Sequence, residues 1–164
     1  MAKSLSHLDK RGNARMVDVG KKSATRRQAI AFGEIRVGAK LIALLEEGRV
    51  PKGDVFSVAK VAGIAAAKRT GELIPLCHPL PLDWIDVTFI LEKSRVVARA
   101  HVKSTGKTGV EMEALTAVSV ALLTIYDMCK SVDKTMEIGP VYLGKKSGGR
   151  SGEFVRKGVP SGWL

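Results

Sequence analysis

A chain of 164 residues and 17.6 kDa has room for one packed core and too little for two, so residues 1–164 read as a single domain. Hydrophobic residues at 45% and charged residues at 26% exclude a disordered or low-complexity chain. Lys plus Arg number 27 against 16 Asp plus Glu, a formal charge of +11, which points to an anionic partner: nucleic acid, a membrane surface or a phosphorylated metabolite.

Residues 1–26 carry Gly12, Gly20 and many charges without sustained periodicity, and read as an extended arm with one short strand over 14–19. The β-branched and aromatic residues Ile30, Phe32, Ile35 and Val37 predict a strand over 27–37, although its alternation is imperfect. A short helix over 39–47 follows, with Gly48 at the left-handed cap position. Val55, Val58, Ala59, Ala62 and Ala66 repeat at three and four and predict an amphipathic helix over 53–69.

Pro75, Pro79 and Pro81 exclude regular helix from "LIPLCHPLPL" and make it a stiff, shaped loop. Alternation on either side of Lys93 and Ser94 predicts a hairpin from 84 to 103. Residues 109–132 read as the longest helix, about 36 Å at 1.5 Å per residue and apolar nearly all round. Its apolar run over 114–125 falls short of the roughly 20 residues of a membrane span. A last strand over 138–143 contains Pro140, which places it at a sheet edge or an irregularity. The glycine-rich basic tail from about 144 to 164 is expected to be flexible. The order strand, helix, strand, strand, helix, strand predicts an α+β, ferredoxin-like β-α-β-β-α-β sandwich with an extra short helix and an N-terminal arm.

Cys77 and Cys129 fit neither a disulfide framework nor a CxxC pair nor a zinc set. The polar opening has no secretory pattern. A cytoplasmic protein is expected.

The GKT of "TGKTGVEMEA" lacks the earlier glycine of a phosphate loop, since His101 stands there. Lys107 and the free N–H groups at the helix start can still attract an anion. Thr108 and Glu111 fit a capping box. Glu113 has no such duty, and at the edge of an apolar helix it is a candidate general base or hydrogen-bond acceptor for substrate. Asp127 and Lys130, three apart on one helix, suit either a solvated ion pair or a catalytic pair. Glu113 and Asp127 are about 40° apart around that helix but roughly 21 Å apart along it. If both serve chemistry, they either contact distant parts of a long substrate or belong to composite sites shared between subunits, and the second is favoured. Cys77 and His78 sit in the shaped loop, where an imidazole can be displayed for proton transfer. Lys52, Lys68, Arg69, Lys145, Lys146 and Arg150 supply phosphate-facing charge or, alternatively, solvated surface.

The strings "GNARMVDV", "KGDV", "AGIAAAKRT", "LIPLCHPLPL", "TGKTGVEMEALTAVSVALLTIYDMCK" and "KSGGRSG" together resemble the cyclic pyranopterin monophosphate synthase family, molybdenum cofactor biosynthesis protein C, from about residue 5 to 152. The resemblance implies a lyase of molybdenum cofactor biosynthesis that converts the cyclised GTP intermediate, 3′,8-cyclo-7,8-dihydroguanosine triphosphate, to a pterin, cyclic pyranopterin monophosphate, and releases pyrophosphate. It implies a ferredoxin-like subunit in a homo-hexamer, a trimer of dimers, with sites at dimer interfaces. By the same resemblance Lys52, Asp127 and Lys130 are catalytic. Substrate binding falls to Leu76, Cys77, His78, Glu111, Met112 and Glu113, with Arg27, Lys68, Lys146 and Arg150. Lys52 and Lys130 would transfer protons, nearby cations lowering their pKa. Arg150 replaces a lysine and adds a fork suited to phosphate, and Gly71-Glu72 replaces a bulkier pair ending in aspartate. No cofactor or metal-ligand set is required by the sequence, a divalent ion with the triphosphate is left open, and no membrane partner is expected.

The alternative is a basic RNA-binding module of the same element order. Against it, residues 95–103 hold no aromatic and aromatics make up only 5% of the chain. A purely structural oligomer subunit ranks last.

Overall fold

The computed structural model describes residues 11–164. The elements are β1 (Thr25–Arg36), α1 (Ala39–Glu46), α2 (Val55–Lys68), α3 (Thr70–Leu73), β2 (Trp84–Glu92), β3 (Arg95–Gly106), α4 (Glu111–Cys129), β4 (Glu137–Ser147), β5 (Phe154–Val155) and a 3-10 turn, Ser161–Trp163. One sheet runs β2-β3-β1-β4-β5, and every pairing is antiparallel. With α2 and α4 as the crossovers, this is the ferredoxin-like α+β arrangement, and α1 is the extra short helix.

The imperfect alternation of β1 has a physical cause. As a central strand it is covered on both faces: Ala29, Ala31 and Ile35 join the core under the helices, while Ile30 and Phe32 join a smaller cluster on the opposite face. Gly33 lies directly under α4, where an added Cβ would stand 2.6 Å from Val118 Cγ1 and 2.8 Å from Leu122 Cδ1. Gly63 of α2 is as close to α4, its would-be Cβ 2.9 Å from the Ala117 carbonyl. These two glycines and the alanines around them let α4 sit deep between sheet and α2. Gly33→Ala is expected to cost about 1–3 kcal/mol by overpacking. A urea titration checks it, and an unchanged midpoint would contradict this packing.

α4 is shorter than expected, 19 residues. By length and composition it could cross a membrane, yet Ala114, Ala117, Val118, Ala121, Leu122 and Ile125 are fully buried in the core. The capping box of Thr108 and Glu111 does not form: Val110 is the N-cap and no side chain caps it. Glu111 folds back over Gly109 instead, where a Cβ would overlap its carboxylate.

Of the expected strand over 14–19, only an isolated bridge at Ala14 forms. Residues 1–10 of the arm lie outside the described residues, and residues 25 and 26 already belong to β1. At the other end, residues 144–147 continue β4 rather than opening a flexible tail. Pro140 falls where the β1–β4 register shifts, between Gly33 and Ile35, the irregularity its ring predicts. Beyond β4, β5 pairs back onto Lys145 and Lys146. Trp163 then packs on Phe32, centroids 5.9 Å apart, beside Tyr142 at 5.7 Å, and its carbonyl accepts from Arg99 Nε at 2.7 Å. The part of the outer sheet face around Ile30 and Phe32, where an RNA-recognition domain would stack bases, is thus covered here by the chain's own C-terminal segment.

Candidate active site

Two clusters of the predicted residues form, at opposite ends of α4. The first is built from the turn before α2. Gly53 takes φ +90°, which displays Lys52 at the turn, and Asp54 caps α2 by accepting from the Ser57 N–H at 3.0 Å. Lys52 Nζ donates to the Asp127 carboxylate at 3.0 Å and to the Asp127 carbonyl at 2.9 Å. Lys130 Nζ meets the other carboxylate oxygen at 2.7 Å. Hydrogen bonds from Lys130 and Lys52, and then their charges, hold Asp127 below the usual carboxylate range. Lys130 moves the other way. Its hydrogen bond to Asp127 and that carboxylate's charge raise it above an ordinary lysine, correcting the expectation that neighbouring cations lower it. Lys130 is thus charged at neutral pH, a donor of a proton or a hydrogen bond.

The second cluster surrounds the start of α4. A cleft of about 270 Å³ is lined by Leu76, Cys77, His78, Glu111, Met112 and Glu113, together with Val17, Val19 and Lys22 from the arm. His78 Nε2 lies 2.8 Å from the Val17 carbonyl. A carbonyl only accepts, so Nε2 carries the proton and donates. Glu113 is 4% exposed, and burial, with a smaller push from the Glu111 charge, raises its pKa to about 7. The Cys77 thiol is also raised, by burial and then by the Glu113 charge, which keeps it protonated and suits a contact rather than a nucleophile. Lys68 and Glu72 share with Glu113 the walls of an adjoining cleft of about 230 Å³. There Gly71 abuts Pro79, its would-be Cβ 3.1 Å from Pro79 Cα, so glycine at this position lets α3 press against the loop.

The 270 Å³ cleft opens into a larger one of about 630 Å³ through shared residues Lys22, Thr108, Gly109 and Glu111. Its walls carry Lys21, Lys22, Arg27, Lys107 and Arg150 against the single carboxylate of Glu111. Arg27 is held by the Gly106 carbonyl at 3.4 Å and the Lys107 carbonyl at 3.3 Å. Its guanidinium occupies the space a Cβ at Gly149 would need, and Gly149 has φ +71°. Both conditions require glycine there. Lys146 donates to Ser151 Oγ, bracing the turn that carries Arg150. Gly149→Ala is expected to displace Arg27 and raise KM at least about tenfold, with a smaller fall in kcat. Steady-state kinetics check it, and an unchanged KM would show that Arg27 does not bind substrate.

Sequence reasoning missed the arm's contribution. Gly20 N–H donates to Asp18 Oδ1 at 2.8 Å, Lys22 N–H to the Val19 carbonyl at 3.0 Å, and Lys107 Nζ to the Gly20 carbonyl at 2.9 Å. The Asp-x-Gly turn signal was present in the sequence, and it carries Lys21 and Lys22 over the start of α4. Lys52, Asp127 and Lys130 are not brought to this cleft. Among the described residues no group of three or more His, Cys, Asp or Glu is placed to hold a metal ion.

Residues 16–149 match the model of the MoaC family. The chain is 63% identical over 156 residues to the cyclic pyranopterin monophosphate synthase of Pelotomaculum thermopropionicum, covering 94% of this chain and 92% of that one. It is 55% identical over 157 residues to that of Brevibacillus brevis, covering 95% and 98%. To cyclic pyranopterin monophosphate synthase 1 of Mycobacterium tuberculosis it is 56% identical over 156 residues, covering 94% and 92%. With a fold, two clefts and a lysine–aspartate cluster laid out along one helix, and relatives this similar over nearly their whole length, the chain belongs to the MoaC family.

Proposed function

We propose that this protein is a cyclic pyranopterin monophosphate synthase, acting on 3′,8-cyclo-7,8-dihydroguanosine triphosphate and releasing pyrophosphate. One observation carries the reading: a cleft with His78, Cys77 and Glu113 opens directly into a cleft with five cationic side chains. A purine end and a triphosphate end need that sequence of environments. Glu113, as carboxylate, accepts hydrogen bonds from the ring N–H groups, and the Nε2–H tautomer of His78 is fixed by Val17. Lys52 and Lys130, oriented by Asp127, move protons while the purine ring opens and the pterin closes. A sugar hydroxyl then attacks the α-phosphorus, forming the cyclic phosphodiester and breaking the bond to the β-phosphate oxygen. Lys21, Lys22, Arg27, Lys107 and Arg150 neutralise the departing pyrophosphate. The test is incubation with the cyclised GTP intermediate. Pterin and pyrophosphate in equal amounts support the reading, and neither product overturns it.

The two clusters face one substrate only if each site draws on two subunits, as in a homo-hexamer built from dimers. Supporting this, the helical layer turns Val58, Val61 and Leu123 outward, 47%, 67% and 58% exposed. Val120 lies midway between Glu113 and Asp127 in sequence. A two-fold axis beside it sets the Glu113 end of α4 in one copy against the Asp127 end in the other. The free thiols Cys77 and Cys129 suit a cytoplasmic setting.

A further inference from the structure

The reverse face of the sheet carries a cleft of about 420 Å³ that shares only Arg27 with the residues of the proposed reaction. Successive strand residues point to opposite faces, so Arg26 belongs to this outer side, while Arg27, one residue later, lines both this cleft and the phosphate-facing one at the edge of β1. Arg26 pairs with Thr105 across β1 and β3, and Gln28 with Lys103. Trp84 pairs with Lys103 across β2 and β3. Lys103 Nζ sits 4.5 Å from the Trp84 ring centroid, and His101 stands edge-on to the same ring at 5.0 Å.

The hydrogen bonds here have a direction. Burial, reinforced by Arg99, Lys103 and Lys145, lowers the His101 pKa to about 4 despite the opposing charge of Asp86, so the ring is neutral at pH 7. His101 Nε2 and Gln28 Oε1 are 3.1 Å apart. The amide oxygen only accepts, so His101 donates. Gln28 Nε2 in turn donates to Ser147 Oγ at 3.0 Å, which leaves the Ser147 O–H free to donate into the cleft. Asp83, the one carboxylate in the lining, accepts from Thr105 at 2.9 Å. Among the described residues neither Arg26 nor Lys103 has a carboxylate within ion-pair distance. The cleft thus offers donors and positive charge, and suits a ligand that only accepts.

We propose that this outer cleft, walled by Arg26, Lys103, Ser147 and Trp84, is a second anion site of phosphate class, back to back with the phosphate-facing cleft across β1. Pyrophosphate is the chosen probe because the synthase reading releases it, and that choice and the second copy expected in the phosphate-facing cleft rest on the reading. Two guanidinium or ammonium groups and a hydroxyl suit its terminal oxygens, and Trp84 reports on its arrival.

Counting bound pyrophosphate by equilibrium dialysis at low salt tests the site. The unmodified protein is expected to bind two per chain, the Arg26→Ala/Lys103→Ala variant one. Lys22→Ala/Arg150→Ala is expected to keep the outer one. In a Trp163→Phe background, saturable change in Trp84 emission should follow the outer event and weaken at least about tenfold in the Arg26→Ala/Lys103→Ala variant. A count and an emission change indifferent to Arg26 and Lys103 would overturn the proposal. An RNA oligomer that binds there while pyrophosphate does not would overturn it too. Failure of the synthase reading would show separately, as absence of pterin from the unmodified protein with the binding counts intact.

Discussion

Lys52→Ala is expected to reduce pterin formation by about 10²–10⁴-fold while leaving thermal unfolding almost unchanged. Both parts follow from where the side chain sits. Lys52 is displayed at a glycine turn and donates to Asp127, through its carboxylate and its carbonyl. The side chains of Lys52 and Asp127 are 44% and 58% exposed, and exposed pairs of this kind add little to stability. Three charges gathered at one helix end without structural need fit the catalytic role proposed for them. Product formation measured beside a thermal melt separates the two effects. Near-normal turnover in Lys52→Ala would remove it from the reaction, and a large fall in melting temperature would make its role structural.

Glu113→Gln is expected to move activity and stability in opposite directions. The folded-state pKa of about 7 lies above the ordinary 4.5. The unfolded carboxyl therefore ionises first, and stability is lost as pH rises from about 4.5 through about 7. The difference corresponds to about 3 kcal/mol at pH 8. Glutamine removes that dependence, so the variant should be more stable than the parent at pH 8 and similar at pH 4. In the proposed reaction ionised Glu113 is the form that accepts from the substrate, so kcat/KM of the parent should rise with pH through about 7. In Glu113→Gln that limb should disappear and kcat/KM should fall about 10²-fold or more. Urea titrations at the two pH values and a pH–rate profile check both halves. A variant less stable than the parent at pH 8 would mean that Glu113 is satisfied in its pocket.

Much of the fold was legible because each element carried a local signal. Gly48, at φ +63°, closes α1 where a left-handed cap was expected. The alternation of residues 85–102 gave the hairpin, and the prolines of residues 75–81 kept the loop irregular. Less legible was whatever depended on distant partners. At the ends of α4 Glu111 folds over Gly109 and Lys130 turns to Asp127, neither of which periodicity records. The tail looked flexible from its glycines, yet Gly148 and Gly149 serve a tight turn around Arg27, and Trp163 finds its cover on Phe32. At the site, the roughly 21 Å between Glu113 and Asp127 followed from helix geometry alone. Lys52 joining Asp127 did not, because 75 residues separate them. The arm's Lys21 and Lys22 were missed because their value lies in a turn anchored by Lys107 and His78.

That contact also decides how the composite site should be tested. Lys52 and Asp127 meet within one chain, so Lys52→Ala and Asp127→Ala belong to the same half and should not complement each other. Lys52→Ala and Glu113→Gln fall in different halves. Unfolded together and refolded as an equal mixture, they should form mixed dimers in which one of two sites is intact, restoring about a quarter of parental activity. Pterin formation in that mixture, beside each variant refolded alone, is the most direct test. About a quarter of parental activity is the predicted result, and activity no greater than that of the separate variants would contradict a site shared between subunits.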